Sequence, residues 1–157
     1  MSTSGIICEE IDKHAALAGA ALQNISGVEA GAGARQLLPR AVLDLLGPYS
    51  AALYIAERVI ESEFFDKGLV LSLHSKLLPL EGMADGMLAS ARNRGYFDDP
   101  DIAEPLRWLE NCNEQVKDCM VAMESMLDPQ LDGVMAGALE EHQRGETAKT
   151  SLALGLR

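Results

Sequence analysis

Apolar residues recur along this chain at alternating steps of three and four. The longest unbroken run is Val70, Leu73, Leu77, Leu80, Ala84, Met87 and Ala91. Such spacing keeps side chains on one face of an α-helix, whereas a strand would scatter them over both faces. It predicts a central helix over Gly68–Gly95, with glycines at its two ends and Arg92 and Arg94 in the last turn, where cations suit the helix dipole. Pro79 removes a backbone donor inside that helix and predicts a kink there.

The same periodicity assigns the remaining elements. Ile11, Ala15, Ala18, Leu22 and Ile25 predict a first helix over Ile6–Ile25. Its small residues, from Ala15 to Ala21, allow close approach to a neighbour within the monomer or across a dimer. Three glycines between Ser26 and Ala34 predict a flexible connector, clearest over 27–34. A short helix is expected over Pro39–Leu46, broken by Gly47-Pro48, and another from Pro48 to about Phe65 with Leu53, Ala56, Ile60 and Phe64 inward. Asp66-Lys67-Gly68 then forms a compact turn, which predicts an antiparallel hairpin. After an acidic loop at Tyr96–Asp101, Asp101 and Glu104 have capping-box spacing. The run Leu109, Cys112, Val116, Cys119 or Met120, Met123 and Leu127 predicts the partner of the central helix. Asp128 and Pro129 open a further helix to about Gln143, and 145–157 reads as a tail or docked extension. The fold expected is an all-α, single-domain antiparallel bundle of five or six helices around a four-helix core.

Composition agrees with the pattern. Ala, Leu and Met dominate a 48% hydrophobic content and aromatics are only 4%, which favours helix over strand. The net charge of −11 argues against nucleic acid and anionic membranes as partners, because no Lys/Arg cluster overrides it. No apolar run reaches the roughly 18 residues of a membrane span. Met1–Gly5 lacks the charged and apolar regions of a secretory signal, and three cysteines do not make a disulfide framework. A cytoplasmic location is expected.

Candidate chemistry is sparse. His14 follows Glu10 by four residues, the spacing of a helical pair, and His142 follows Glu140 and Glu141 at a polar helix end. His74 sits beside the central seam and is followed by Ser75, Lys76, Leu77, Leu78, Pro79 and Leu80. A histidine with Pro-Leu five and six positions on, in a kinked helix of a hairpin, resembles the phosphoacceptor box of sensor histidine-kinase dimerisation domains. The resemblance implies a phosphoryl-accepting His74 in a homodimeric bundle. Ser75 stands where that family carries an acidic residue. No glycine-rich ATP-binding domain follows within this sequence, so the role implied is phosphotransfer.

Other sites were weighed and set aside. No Glu is followed three residues later by His, which excludes the ferritin-like di-iron pattern, and no Cys-x-x-Cys exists for zinc. Cys112 and Cys119 lie on one helix face about 10 Å apart and read as small core hydrophobes. Cys8, near the terminus, is the candidate reactive thiol, and it has no evident base partner. Asp98, Asp99, Asp101 and Glu104 lack the order of a calcium loop, and turn and cap chemistry accounts for them. The Gly-rich stretch at 26–34 follows a helix and precedes Arg35-Gln36-Leu37, not the Gly-Lys-Ser/Thr of a phosphate loop. No catalytic residue, cofactor or metal is expected.

The leading expectation is therefore a non-enzymatic helical bundle, regulatory or adaptor in character, that acts through protein–protein contacts and forms a homodimer. Met120, Met123, Met126 and Trp108 are its candidate interface residues. Two alternatives stand beside it: phosphotransfer through His74, and a bundle whose Met- and Leu-lined interior holds a small apolar molecule.

Overall fold

The computed structural model describes residues 3–63 and 65–127. Among them the chain is all-helical, without a strand. Four long helices follow one another: α1 (Thr3–Ala30), α2 (Ala34–Glu61), α3 (Lys67–Asn93) and α4 (Ala103–Leu127). A single 3-10 turn, Tyr96–Asp98, lies between α3 and α4. The described residues up to Met123 form one compact unit. The helix expected over 128–143 and the tail over 145–157 lie outside the described residues.

The seam that defines α3 is buried as its spacing requires. Val70, Leu73, Leu77, Ala84 and Ala91 are fully inside, and Leu80 and Met87 nearly so. Burying each of the larger side chains contributes roughly 1.5–3 kcal/mol, which is what holds a helix with this many glycines together. Asp66 caps the start, its Oδ1 accepting the Leu69 N–H at 3.1 Å. Gly95 ends the helix with a left-handed φ of 77°, the conformation that favours glycine after a C-terminus. α3 continues as one helix through Pro79.

Two expectations are corrected. The connector between the first two helices is only Gly31-Ala32-Gly33, because α1 runs on to Ala30 instead of stopping at Ile25. Its buried face continues through Leu22, Ile25 and Glu29, and the Ser26 hydroxyl donates to the Leu22 carbonyl at 3.3 Å. Nor does Gly47-Pro48 separate two helices. α2 passes through both, since Leu38, Val42, Leu45, Tyr49, Ala52, Leu53, Ala56 and Val59 form one continuous buried face. Gly and Pro inside a helix cost about 4 kcal/mol together, less than the burial of Leu45, Tyr49 and Leu53 supplies.

Cross-links fix the helix directions. Asp12 pairs with Lys76, and the Glu29 carbonyl accepts from the Tyr96 hydroxyl, so α1 and α3 run the same way. Arg35 pairs with Asp99 and Asp101 while Tyr49 bonds Asn113, so α2 and α4 also run the same way. Arg92 to Glu110 and Asp85 to Lys117 set α3 and α4 antiparallel. α1 packs against both α2 and α3. Consecutive helices therefore reverse, up-down-up-down.

Candidate functional site

The outward face of α3 carries almost no charge. Its exposed residues from position 71 to 89 are Leu71, Ser75, Lys76, Leu78, Pro79, Gly82, Met83, Gly86 and Ala89. Leu71 is 49% exposed and Leu78 50%. The one cation, Lys76, is paired with Asp12 across to α1 at 3.2 Å. On a chain of net charge −11, a five-turn face without a free carboxylate is a gap in the negative surface.

Gly82 and Gly86 sit one turn apart on this face. A Cβ built on either would meet nothing within 4 Å. Each costs the helix about 1 kcal/mol relative to alanine, and no packing among the described residues requires it. They open a shallow notch beside the leucines.

From Asp85, at the edge of the face nearest α4, a chain of polar groups runs inward and ties α3 to α4 and α2. The Tyr49 hydroxyl, fully buried, donates to Asn113 Oδ1 at 2.6 Å. Asn113 Nδ2 then donates to Asp85 Oδ1 at 2.9 Å, and Lys117 Nζ lies 2.9 Å from the same oxygen. Burial pushes the Asp85 carboxyl up, but hydrogen bonds from Glu81, Lys117 and Asn113 outweigh it and hold Asp85 below the usual range. Glu81 moves the other way, raised first by burial and then by sharing a hydrogen bond with Asp85. Burial also raises the Tyr49 phenol, which keeps it a neutral donor. These bonds tie α2, α3 and α4 together.

At the other end, Glu29 is a buried carboxyl whose Oε2 has no hydrogen-bond partner. Burial raises its pKa, against the opposing influence of a Ser90 hydrogen bond and the Arg94 charge. The acidic loop does what turn chemistry requires: Asp99 Oδ1 accepts the Asp101 N–H at 3.0 Å, and the Asp99 carbonyl accepts the Ala103 N–H at 2.8 Å. Asp99, not the expected Asp101, thus organises the entry to α4.

The structure scatters the remaining candidates. His74 is half-buried on α3 and engaged in an interaction of its own, off the outermost line of the helix. His14 Nε2 faces Glu10 at 3.8 Å, as its spacing predicts; His142 lies outside the described residues. Cys112 and Cys119 are buried, and burial raises both thiols, Cys119 to about 11, so neither is an available thiolate at neutral pH. Met123 is wholly inside the bundle and Met120 nearly so, while Met126 is half-buried and Trp108 is 48% exposed. A partner arriving from solvent meets Trp108, not Met120 or Met123. No group of three or more His, Cys, Asp or Glu side chains among the described residues could hold a metal ion. Among them, too, no helix is long and apolar enough to cross a membrane.

A separate groove of about 950 Å³ opens at the end of the bundle where α2 finishes and α3 begins. Ile7, Ile55, Val59, Phe65 and Leu69 line it, with Arg58 and Lys67 also on its wall.

The outward face of α3 was not recognised in the sequence. Its signal was present: Leu71 and Leu78 stand seven apart off the buried seam, beside Gly82-x-x-x-Gly86. Comparison with protein-family models, with curated proteins and with solved structures gave no match.

Proposed function

We propose that this protein acts without catalysis, through protein–protein contact, and that it assembles as a homodimer. The observation that supports this reading is the outer face of α3, which exposes no carboxylate and a single paired lysine, with two half-exposed leucines beside a glycine notch. Contiguous apolar surface of this kind is uncommon on a lone soluble chain unless something docks there. The test is molar mass by light scattering across a concentration series. A dimer at tens of micromolar supports the reading, and a strict monomer there refutes it.

The groove favours a second reading, a site for a small apolar molecule. Its volume lies within the roughly 300–1,000 Å³ usual for ligand sites, and five apolar side chains, Ile7, Ile55, Val59, Phe65 and Leu69, share its walls with Arg58, Ser62, Asp66 and Lys67. The space sits at the bundle's end and not in the expected methionine-lined interior, where Met120 and Met123 are packed. Native mass spectrometry of the purified protein tests it. A bound species lost in Val59→Trp supports it, and a mass equal to the bare chain in every preparation counts against it.

A further inference from the structure

The arrangement of residues on the outer face of α3 says how two copies would meet. Six positions, Leu71, Ser75, Leu78, Gly82, Asp85 and Ala89, are separated alternately by four and three residues. That is the heptad seam along which helices supercoil, with small residues in one row (Ser75, Gly82, Ala89) and Leu71 and Leu78 in the other. The row is also symmetric about residue 80. Each leucine on one side of that midpoint has a small residue at the same distance on the other: Leu78 has Gly82, and Leu71 has Ala89. Ser75 has Asp85.

We propose that a second copy of this chain packs its α3 antiparallel on this face, about a twofold axis level with Leu80. Leu78 then seats on the partner's Gly82, Leu71 on the partner's Ala89, and the Ser75 hydroxyl faces the partner's Asp85. This rests on the homodimer reading above and specifies its interface.

Shape excludes the obvious alternative. A parallel pairing would oppose leucine to leucine and glycine to glycine, so the leucines would hold the helices apart and leave voids at the glycines. The antiparallel register fills every layer with one large and one small side chain, or with a hydroxyl and a carboxylate. Helices paired through glycine approach more closely than the usual 8–10 Å separation, which accounts for Gly82, a glycine that packing within the chain does not require.

Charge and symmetry both point to a second copy as the occupant. Each chain carries −11, so contact through most of its surface would set carboxylates against one another. Here the exposed positions carry no carboxylate, and the carboxylates at the border lie beside cations of their own chain: Asp12 by Lys76, while Asp85, Glu81 and Glu114 share Lys117. A face that is complementary to itself is what a twofold interface needs, because each residue must match its counterpart in both directions. An unrelated partner would impose no such symmetry. Ala16 and Ala20 on α1, exposed and one and two turns on from Asp12, leave room beside the helix pair. The contact is small against the roughly 1,200–2,000 Å² that specific interfaces bury, so the dimer is expected to be micromolar.

The experiment pairs light scattering with directed cross-linking. Gly82→Leu puts a side chain into open space in a single chain and removes a helix-interior glycine, so circular dichroism should be unchanged and the monomer should be no less stable to denaturant, while the apparent dimer dissociation constant rises at least tenfold. Separately, Leu78→Cys protein mixed with Gly82→Cys protein should oxidise to a 78–82 cross-linked heterodimer in higher yield than either alone. A Gly82→Leu protein that stays dimeric, or preferential 78–78 cross-linking, overturns the antiparallel interface but leaves the homodimer reading intact. A monomeric wild type overturns both.

Discussion

Tyr49 and Asn113, 64 positions apart in sequence, share a 2.6 Å hydrogen bond in the centre of the bundle, with the phenol donating to the amide oxygen. Both are sealed from solvent, and Asn113 passes the connection on through its Nδ2 to Asp85. A buried polar pair of this sort fixes the rotation of α2 against α4 and, through Asp85, the rotation of α3. It therefore sets which side of α3 faces outward. Tyr49→Phe removes the donor and leaves Asn113 Oδ1 unsatisfied, and should cost about 1–3 kcal/mol in chemical denaturation. Asn113→Ala should cost as much. In a double-mutant cycle the two losses should be less than additive, because both break the same bond. Additive losses would mean that the pair is not coupled.

Glu29 gives the protein a pH dependence of definite sign. Burial raises its folded-state pKa above the usual 4.5, so its full contribution to stability is present below that value and is lost as pH rises through the folded pKa. Glu29→Gln removes the ionisation. The variant should match wild type near pH 4 and be more stable than wild type at pH 7–8, read as the difference between their denaturant midpoints. A difference that does not change with pH would show that Glu29 ionises in the fold as freely as it does unfolded.

Gly47 and Gly95 should respond to alanine in opposite directions. Gly47 is exposed inside α2 with open space at its Cβ position, so Gly47→Ala should stabilise by roughly 0.5–1 kcal/mol. Gly95 holds a φ of 77°, and Gly95→Ala should cost about 1–2 kcal/mol because a Cβ is strained there. If instead Gly47→Ala destabilises, α2 is interrupted at Gly47-Pro48 as the local sequence suggests.

That last contrast shows where the sequence was readable. Burial periodicity located α3 and α4 to within a few residues, because Leu73, Leu77 and Leu80, or Leu109, Val116 and Met123, leave no other face to bury. Punctuation by Gly and Pro misled at residues 26–34 and at Gly47-Pro48. Local breakers cost a few kcal/mol, and the long-range burial of Ile25, Leu45 and Tyr49 exceeds that cost. The candidate site was less visible. Met120 and Met123 fit two readings in sequence, a place in the inward run of α4 and an adaptable interface, and they are buried on the inward face. Asn113 reads in sequence as an ordinary polar helix residue. Its partner Tyr49 lies on another helix, and nothing local to either residue announces the bond.

The claim at the centre of this account is that the outer face of α3 is a docking surface for a second copy. Hydroxyl-radical footprinting of the full chain at low and high concentration addresses it directly, read at Leu78 and Leu71, with the exposed Trp108 as a reference. Dilution should leave all three reactive; raising the concentration through the dimer range should protect the two leucines while Trp108 continues to oxidise. Equal oxidation of Leu78 and Leu71 at every concentration would contradict the claim.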